Sequence, residues 1–258
     1  MTRNESGFVS GTVYLVGAGP GAADLLTVRA ARLLTEAEIV FHDALVPQAI
    51  LELASRAEKV AVGKRSGRHS TAQHFINKRL ADAARQHRVV VRLKGGDPLL
   101  FGRAQEEIDY LRAQGIAVEI VPGVTAAFAA SAELGMSLTQ RGLARSVAFV
   151  TPRVGSGEAE STWIKAVLAA DTAAIYMGAG EAAAISEALI KAGKPPATRV
   201  AIIENASLGA AVARGKLVEL PRLAAQLSGG PVLILLGEVL RKAVSAAQRT
   251  TARRRLAR

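Results

Sequence analysis

Residues 12–36, TVYLVGAGPGAADLLTVRAARLLTE, decide how the rest of the chain is read. The apolar run 12–16 reads as a strand, the glycine-rich 17–22 as a tight turn, and 25–36 as a helix. The same unit then repeats. Short β-rich runs fall at 39–42, 59–62, 88–93 and 117–121, and helical stretches at 48–55, 70–86, 102–114 and 125–134. Ser70-Thr71-Ala72-Gln73 has the spacing of a helix-starting capping box, and Gly115 is a helix stop. Strands separated by helices of this length predict βαβ crossovers and a largely parallel sheet, hence an α/β fold.

Near residues 142–144 the rhythm restarts, with strands at 147–151, 172–177, 200–204 and 232–236. Residues 211–220 read as extended too, which would give the second half a hairpin. The expected organisation is an N-terminal extension (1–10), an α/β domain (11–138), a second α/β domain (139–240) and a basic tail (241–258) expected to be disordered. The Gly-, Ser- and Glu-rich 153–161 reads as a mobile loop. Two such lobes would leave a cleft between them, a usual place for a ligand.

Composition narrows the chemistry. The 258 residues are 50% hydrophobic and 21% charged, which supports a packed core. There is no Cys, so disulfides, Cys-ligated zinc, iron–sulfur clusters and a Cys nucleophile are excluded. The four His (42, 69, 74 and 87) are scattered, no metal site is expected, and His42 reads as a hydrogen-bonded core residue. No apolar run reaches the roughly 18 residues of a membrane span. The first ten residues lack a signal peptide's apolar stretch, so the expectation is a soluble, cytoplasmic protein.

Thirty-three Lys+Arg against 22 Asp+Glu leave a net charge of +11. That excess suits a nucleic acid, an anionic membrane or a polyanionic small substrate. Only 4% of residues are aromatic, which argues against the base-stacking surfaces of nucleic-acid binders. Lys64, Arg65, Arg68 and His69 share one loop, Arg103 lies in another, and Arg141 and Arg145 sit at the junction. Arginine forks in several loops fit a ligand with many carboxylates.

Three strand-end loops carry Gly: Gly17 to Ala22, Lys94-Gly95-Gly96-Asp97-Pro98, and Pro122-Gly123-Val124-Thr125-Ala126. The first satisfies a relaxed dinucleotide fingerprint, but Pro20 offers no N–H to a pyrophosphate. The glycines instead let backbone approach another kind of group.

Taken together, VYLVGAGPGAADLLTVRAARLL, GKRSGRHS, VVRLKGGDPLLFGRAQEEI, VPGVTAA, SLTQR and AAIYMGAG resemble the tetrapyrrole methylases, most closely their uroporphyrinogen-III C-methyltransferase branch. The resemblance runs in order from about Gly11 to Leu240. It implies a two-domain class III methyltransferase fold, S-adenosylmethionine as cofactor, S-adenosylhomocysteine as product, no metal and a homodimer. It also implies methylation of two ring carbons of uroporphyrinogen III to precorrin-2, toward sirohaem and cobalamin. Carried over by motif, the cofactor would meet Pro20, Gly95, Gly96, Asp97, Leu100, Thr125, Ala126, Met177 and Ala206. Asp43 would be the proton acceptor and Lys64 the proton donor, with Arg103, Glu106 and Arg141 facing the substrate. Ala44 replaces a usual Arg, Gln140 a usual His, and Pro152-Arg153 a usual Gly-His. Methylation of a later corrinoid and non-catalytic RNA binding are the alternative readings.

Overall fold

The computed structural model describes residues 11–62, 73–154 and 161–242. The chain divides into two compact units, residues 1–125 and 126–258. The expectations for the N-terminal extension, for Lys64, Arg65, Arg68 and His69, for the capping segment 70–72, for loop residues 155–160 and for the tail from 243 lie outside the described residues.

The first unit contains β1 (Thr12–Gly17), α1 (Val28–Glu36), β2 (Ile39–His42), α2 (Gln48–Leu51), β3 (Glu58–Ala61), α3 (Gln73–Ala84), β4 (Val89–Lys94), α4 (Ala104–Ala113) and β5 (Ala117–Val121). Its five strands are all parallel, in the order β3-β2-β4-β1-β5. The two-residue period of each strand sends side chains to opposite faces. Val13, Leu15 and Val90 join Ile76, Leu80, Ile108 and Leu111 of α3 and α4 on one face. Val16, Val91 and Leu93 join Ala30, Leu33, Leu34 and Ile50 of α1 and α2 on the other. Helix α1 begins at Val28, later than its apolar pattern suggests, because Thr27 caps it: Thr27 Oγ1 accepts from Ala30 N at 3.1 Å.

The second unit contains α5 (Ala126–Leu134), β6 (Val147–Val150), α6 (Trp163–Ala169), β7 (Thr172–Tyr176), α7 (Ala182–Lys191), β8 (Arg199–Glu204), β9 (Ala211–Lys216), α8 (Leu220–Ala224) and β10 (Val232–Gly237). Its sheet order is β6-β7-β10-β8-β9. Strands β6 and β7 are parallel, β10 is antiparallel to both neighbours, and β8 and β9 form the antiparallel pair read from the sequence. The extended stretch stops at Lys216, short of residue 220. There Lys216 N donates to Glu219 Oε2 at 2.8 Å, and the chain turns to bury Leu217 and Leu220.

Helix α5 also differs from expectation. Its Ala127, Ala129, Ala130 and Leu134 pack with Ala174, Ala201, Leu233 and Leu235 of the second sheet. The division between units therefore falls after Thr125 and not after residue 138. No helix among the described residues is long and apolar enough to cross a membrane.

Candidate functional site

Strands β4, β1 and β5 are parallel neighbours, so the loops that follow them emerge at one edge of the first sheet, where α/β proteins bind ligands. There the three loops touch main chain to main chain. Ala18 N donates to the Lys94 carbonyl at 2.7 Å, Gly19 N to the Gly96 carbonyl at 3.1 Å, and Gly96 N to the Gly19 carbonyl at 2.8 Å. Gly19 and Gly96 both have φ of +68°, a conformation that glycine adopts without the steric cost of a Cβ. A Cβ on Gly17 would lie 2.6 Å from Gly123 Cα, and one on Gly123 would lie 2.3 Å from the Gly96 oxygen. Asp97 completes the junction, accepting from Leu99 N at 2.8 Å on Oδ1 and from Gly123 N at 2.9 Å on Oδ2. Across residues 17–22, 95–99 and 122–125 the one ionisable side chain is that of Asp97, and there is no Lys or Arg.

The structure thus brings Gly95, Gly96 and Asp97 together with the first and third loops. Pro20 is half-buried on the first loop, and Leu100 is half-buried just beyond Asp97, donating its N–H to the Asp97 carbonyl at 3.3 Å. Thr125 is buried at the end of the first unit. Ala126, Met177 and Ala206 belong to the second unit. Met177 follows β7 with φ of +57°, and Ala206 follows β8 between Asn205 and Ser207, whose φ values are +53° and +74°. Strands β7 and β8 are both antiparallel to β10, so Met177 and Ala206 share one sheet edge. At that edge Glu204 Oε2 accepts from Ser228 N at 3.1 Å and Ser228 Oγ at 2.9 Å, and Oε1 accepts from Gly230 N at 2.6 Å. The backbone N–H groups of Ser228 and Gly230 hold its carboxyl below the ordinary carboxylate value.

Asp43 lies at the carboxyl end of β2, its side chain 31% exposed. Its Oδ1 accepts from Arg92 Nη2 at 2.5 Å. Arg92 and Lys94 alternate with Val91 and Leu93 along β4 and so point to the α4 face, where both are buried. Arg92 Nε donates to Glu107 Oε1 at 3.1 Å, and Lys94 Nζ donates to both Glu107 oxygens at 3.1 and 3.3 Å. Burial opposes the charge of Arg92, but the Asp43 and Glu107 carboxylates outweigh it and raise its pKa. For Lys94, burial and then the Arg92 guanidinium prevail and push the ammonium below the ordinary lysine value.

Arg103 and Glu106 meet in a two-pronged pair at the start of α4, Nε to Oε1 at 2.7 Å and Nη2 to Oε2 at 2.8 Å, both half exposed. Hydrogen bonds from Arg103 hold the Glu106 carboxyl below its ordinary value. Arg141, in the second unit, is exposed in a turn closed by Gln140 N to the Ala144 carbonyl at 2.9 Å. Lys64 lies outside the described residues. His42 is half-buried, with Nδ1 3.2 Å from the Asp43 carbonyl. The buried partners Arg92 and Glu107 lie within the motif of residues 90–108, which assigns them no role. Their signal is that two cations inside an apolar strand require a buried acid opposite them, and Glu107 stands on the apolar face of α4 between Ala104 and Ile108.

The family model for Tetrapyrrole (Corrin/Porphyrin) Methylases matches residues 12–221. The chain belongs to this family. Its relatives include the siroheme synthase of Pseudomonas fluorescens (strain Pf0-1), 46% identical over 239 residues, covering 92% of this chain and 52% of that protein. The chain thus spans about half the length of the curated relatives it matches. Among solved structures, a uroporphyrin-III C-methyltransferase from Thermus thermophilus complexed with S-adenosylhomocysteine is 40% identical, covers 90% of this chain and 99% of that chain, and has a TM-score of 0.79. A cobalt precorrin-4 methyltransferase of cobalamin biosynthesis is 28% identical over 89% of this chain and 95% of that chain, with a TM-score of 0.77. These likenesses agree with the α/β class III methylase fold expected from the sequence.

Proposed function

We propose that this chain is an S-adenosylmethionine-dependent methyltransferase that acts on two ring carbons of uroporphyrinogen III, giving precorrin-2. The observation that carries the reading is the junction of three loops built from bare main chain, with the carboxylate of Asp97 as its one charge. A surface of closely packed main chain with a single carboxylate suits a flat, neutral base and a cationic sulfonium. It does not suit a pyrophosphate, because Pro20 lacks an N–H, residues 17–22, 95–99 and 122–125 hold no Lys or Arg, and Lys94 at the root of the second loop is turned onto Glu107. The near full-length likeness to a uroporphyrin-III C-methyltransferase supports the same substrate.

The residues assigned to the cofactor are Pro20, Gly95, Gly96, Asp97, Leu100, Thr125 and Ala126. Met177 and Ala206 are assigned to it on their motifs. S-adenosylmethionine, when bound, supplies a methyl group on a sulfonium, already a strong electrophile toward an electron-rich pyrrole carbon. The protein's task is to set carbon, methyl and sulfur in line and to exclude water, which can supply about 7–11 kcal/mol of the barrier. The methylated ring must then lose a proton. Asp43 is assigned as acceptor, since Arg92 fixes its Oδ1 while Oδ2 has no hydrogen-bond partner among the described residues. Lys64 is assigned as proton donor. Arg103 and Arg141 are assigned to substrate carboxylates, and Glu106 holds the Arg103 guanidinium in a fixed plane. The family resemblance supports a homodimer, and light scattering of the purified protein tests it.

The deciding experiment mixes purified protein, S-adenosylmethionine and enzymatically generated uroporphyrinogen III, and follows product mass and absorbance. The expected product has gained two methyl groups. Unconsumed substrate would overturn the reading, and methylation of a corrinoid but not of uroporphyrinogen III would move the chain toward the precorrin-4 type of enzyme. Asp43→Asn is expected to keep S-adenosylhomocysteine binding and lose about 10²–10⁴-fold in kcat.

A further inference from the structure

We propose that Arg92 is the positioning residue for Asp43, and that Glu107, acting through Arg92, fixes the direction in which Asp43 presents its second oxygen. The inference rests on the assignment of Asp43 as proton acceptor.

The guanidinium of Arg92 is engaged on every side. Nε donates to Glu107 Oε1 at 3.1 Å, Nη2 to Asp43 Oδ1 at 2.5 Å, and Nη1 to the carbonyls of Leu93 at 3.3 Å and Phe41 at 3.5 Å. Phe41 belongs to β2 and Leu93 to β4, adjacent strands, so one planar group ties the two strand ends from which Asp43 and the Gly95-Gly96 loop depart. Glu107 is itself held by Lys94 Nζ and by Gln73 Nε2 at 3.1 Å, and Gln73 also donates to Asn77 Oδ1 at 3.0 Å. The anchor therefore reaches into both α3 and α4.

Exposure along this chain of contacts is graded. The side chains of Glu107, Arg92 and Lys94 are 0%, 3% and 4% exposed, whereas that of Asp43 is 31% exposed. Two cations face two carboxylates, so the group is neutral in sum, but only Asp43 reaches solvent. Buried ion pairs are often replaceable by apolar residues at no loss of stability. A group whose purpose was only to hold α4 on β4 has no need of a fourth member extended to the surface. An arrangement with its rigid end buried and one carboxylate presented outward is what orienting a proton acceptor requires. A lysine at position 92 could not replace the fork, because a point charge lacks the planar donors that reach Glu107, Asp43 and two carbonyls together.

The test is a double-mutant cycle on the full chain with Arg92→Lys, Glu107→Gln and Asp43→Asn. It follows kcat and KM for methyl transfer to uroporphyrinogen III, S-adenosylhomocysteine affinity by calorimetry, and Tm. Arg92→Lys is expected to lower kcat about 10–100-fold while KM and cofactor affinity stay within about twofold. In the Asp43→Asn background it should cause no further loss, because its effect passes through the missing carboxylate. Glu107→Gln keeps the shape of the buried side chain and carries the same cycle if Arg92→Lys does not fold. Losses that multiply in the double variants, or a folded Arg92→Lys or Glu107→Gln enzyme with unchanged kcat, overturn the positioning role. Full turnover by Asp43→Asn alone overturns the assignment of Asp43 instead, and is recognised without reference to Arg92.

Discussion

Asp97 and Gly123 join two loops that leave different strands: Gly123 N donates to Asp97 Oδ2 at 2.9 Å, while the other carboxylate oxygen accepts from Leu99 N at 2.8 Å. One side chain thus fixes both the turn after β4 and its distance from the turn after β5. An amide in its place can accept only through one oxygen. Asp97→Asn is therefore expected to weaken S-adenosylhomocysteine binding about tenfold, or ~1.4 kcal/mol, measured by calorimetry. Unaltered affinity would show that the loops keep their spacing without the carboxylate.

Gly123 itself has no room for a methyl group, since a Cβ would lie 2.3 Å from the Gly96 oxygen and 2.8 Å from Gly17 Cα. Both contacts are with backbone, so a rotamer change cannot relieve them. Gly123→Ala should cost about 1–3 kcal/mol of stability and abolish cofactor binding. Gly115→Ala is the control: φ is +69° there, but nothing stands within 4 Å of the added carbon. It should cost about 1–2 kcal/mol and leave cofactor binding alone. Urea denaturation and calorimetry on the two variants separate strain from crowding.

Arg103→Ala should raise the KM for uroporphyrinogen III about tenfold and leave S-adenosylhomocysteine affinity unchanged, because hydrogen bonds to charged groups contribute about 1.5–3 kcal/mol. Steady-state kinetics with cofactor titration checks both halves. A collapse of cofactor binding would assign Arg103 to the loop structure and not to the substrate.

Glu204 gives a pH signature in stability. Its carboxyl is held below the ordinary value of 4.5 by N–H donors of Ser228 and Gly230. A depressed folded value means that its contribution is complete above about pH 4.5 and disappears as the pH falls through the lower, folded value. Glu204→Gln should destabilise by about 1–3 kcal/mol at pH 7, since the amide nitrogen cannot accept one of the part-buried hydrogen bonds that the carboxylate accepts from Ser228 and Gly230. The gap to the unsubstituted protein should narrow in acid. Urea unfolding of both proteins across that range measures it, and a constant gap would contradict this account.

Much of the fold can be read from periodicity, because a buried parallel strand such as β4 and a capped helix such as α1 announce themselves locally. The placement of α5 does not. Its small residues offer no strong apolar stripe, and which sheet they cover depends on partners such as Ala174, Ala201 and Leu235, remote in sequence. The three glycine loops are likewise visible as motifs, but their backbone contact is a property of strand order, which spacing alone does not reveal. Arg92 and Glu107 stay hidden for another reason. Fifteen positions apart, they carry charges that look like ordinary surface charges until alternation along β4 turns Arg92 inward onto α4.

A recognition surface assembled from peptide units has a practical corollary for enzyme engineering. Residues without side chains offer no dial to turn, so libraries built at Gly17 or Gly123, where backbone blocks any added carbon, should yield dead variants and no altered donor preference. Acceptance of bulkier sulfonium analogues is better sought by trimming the flanking leucines. Leu45, whose Cβ stands 3.7 Å from where a carbon on Gly95 would project, is the first position to diversify.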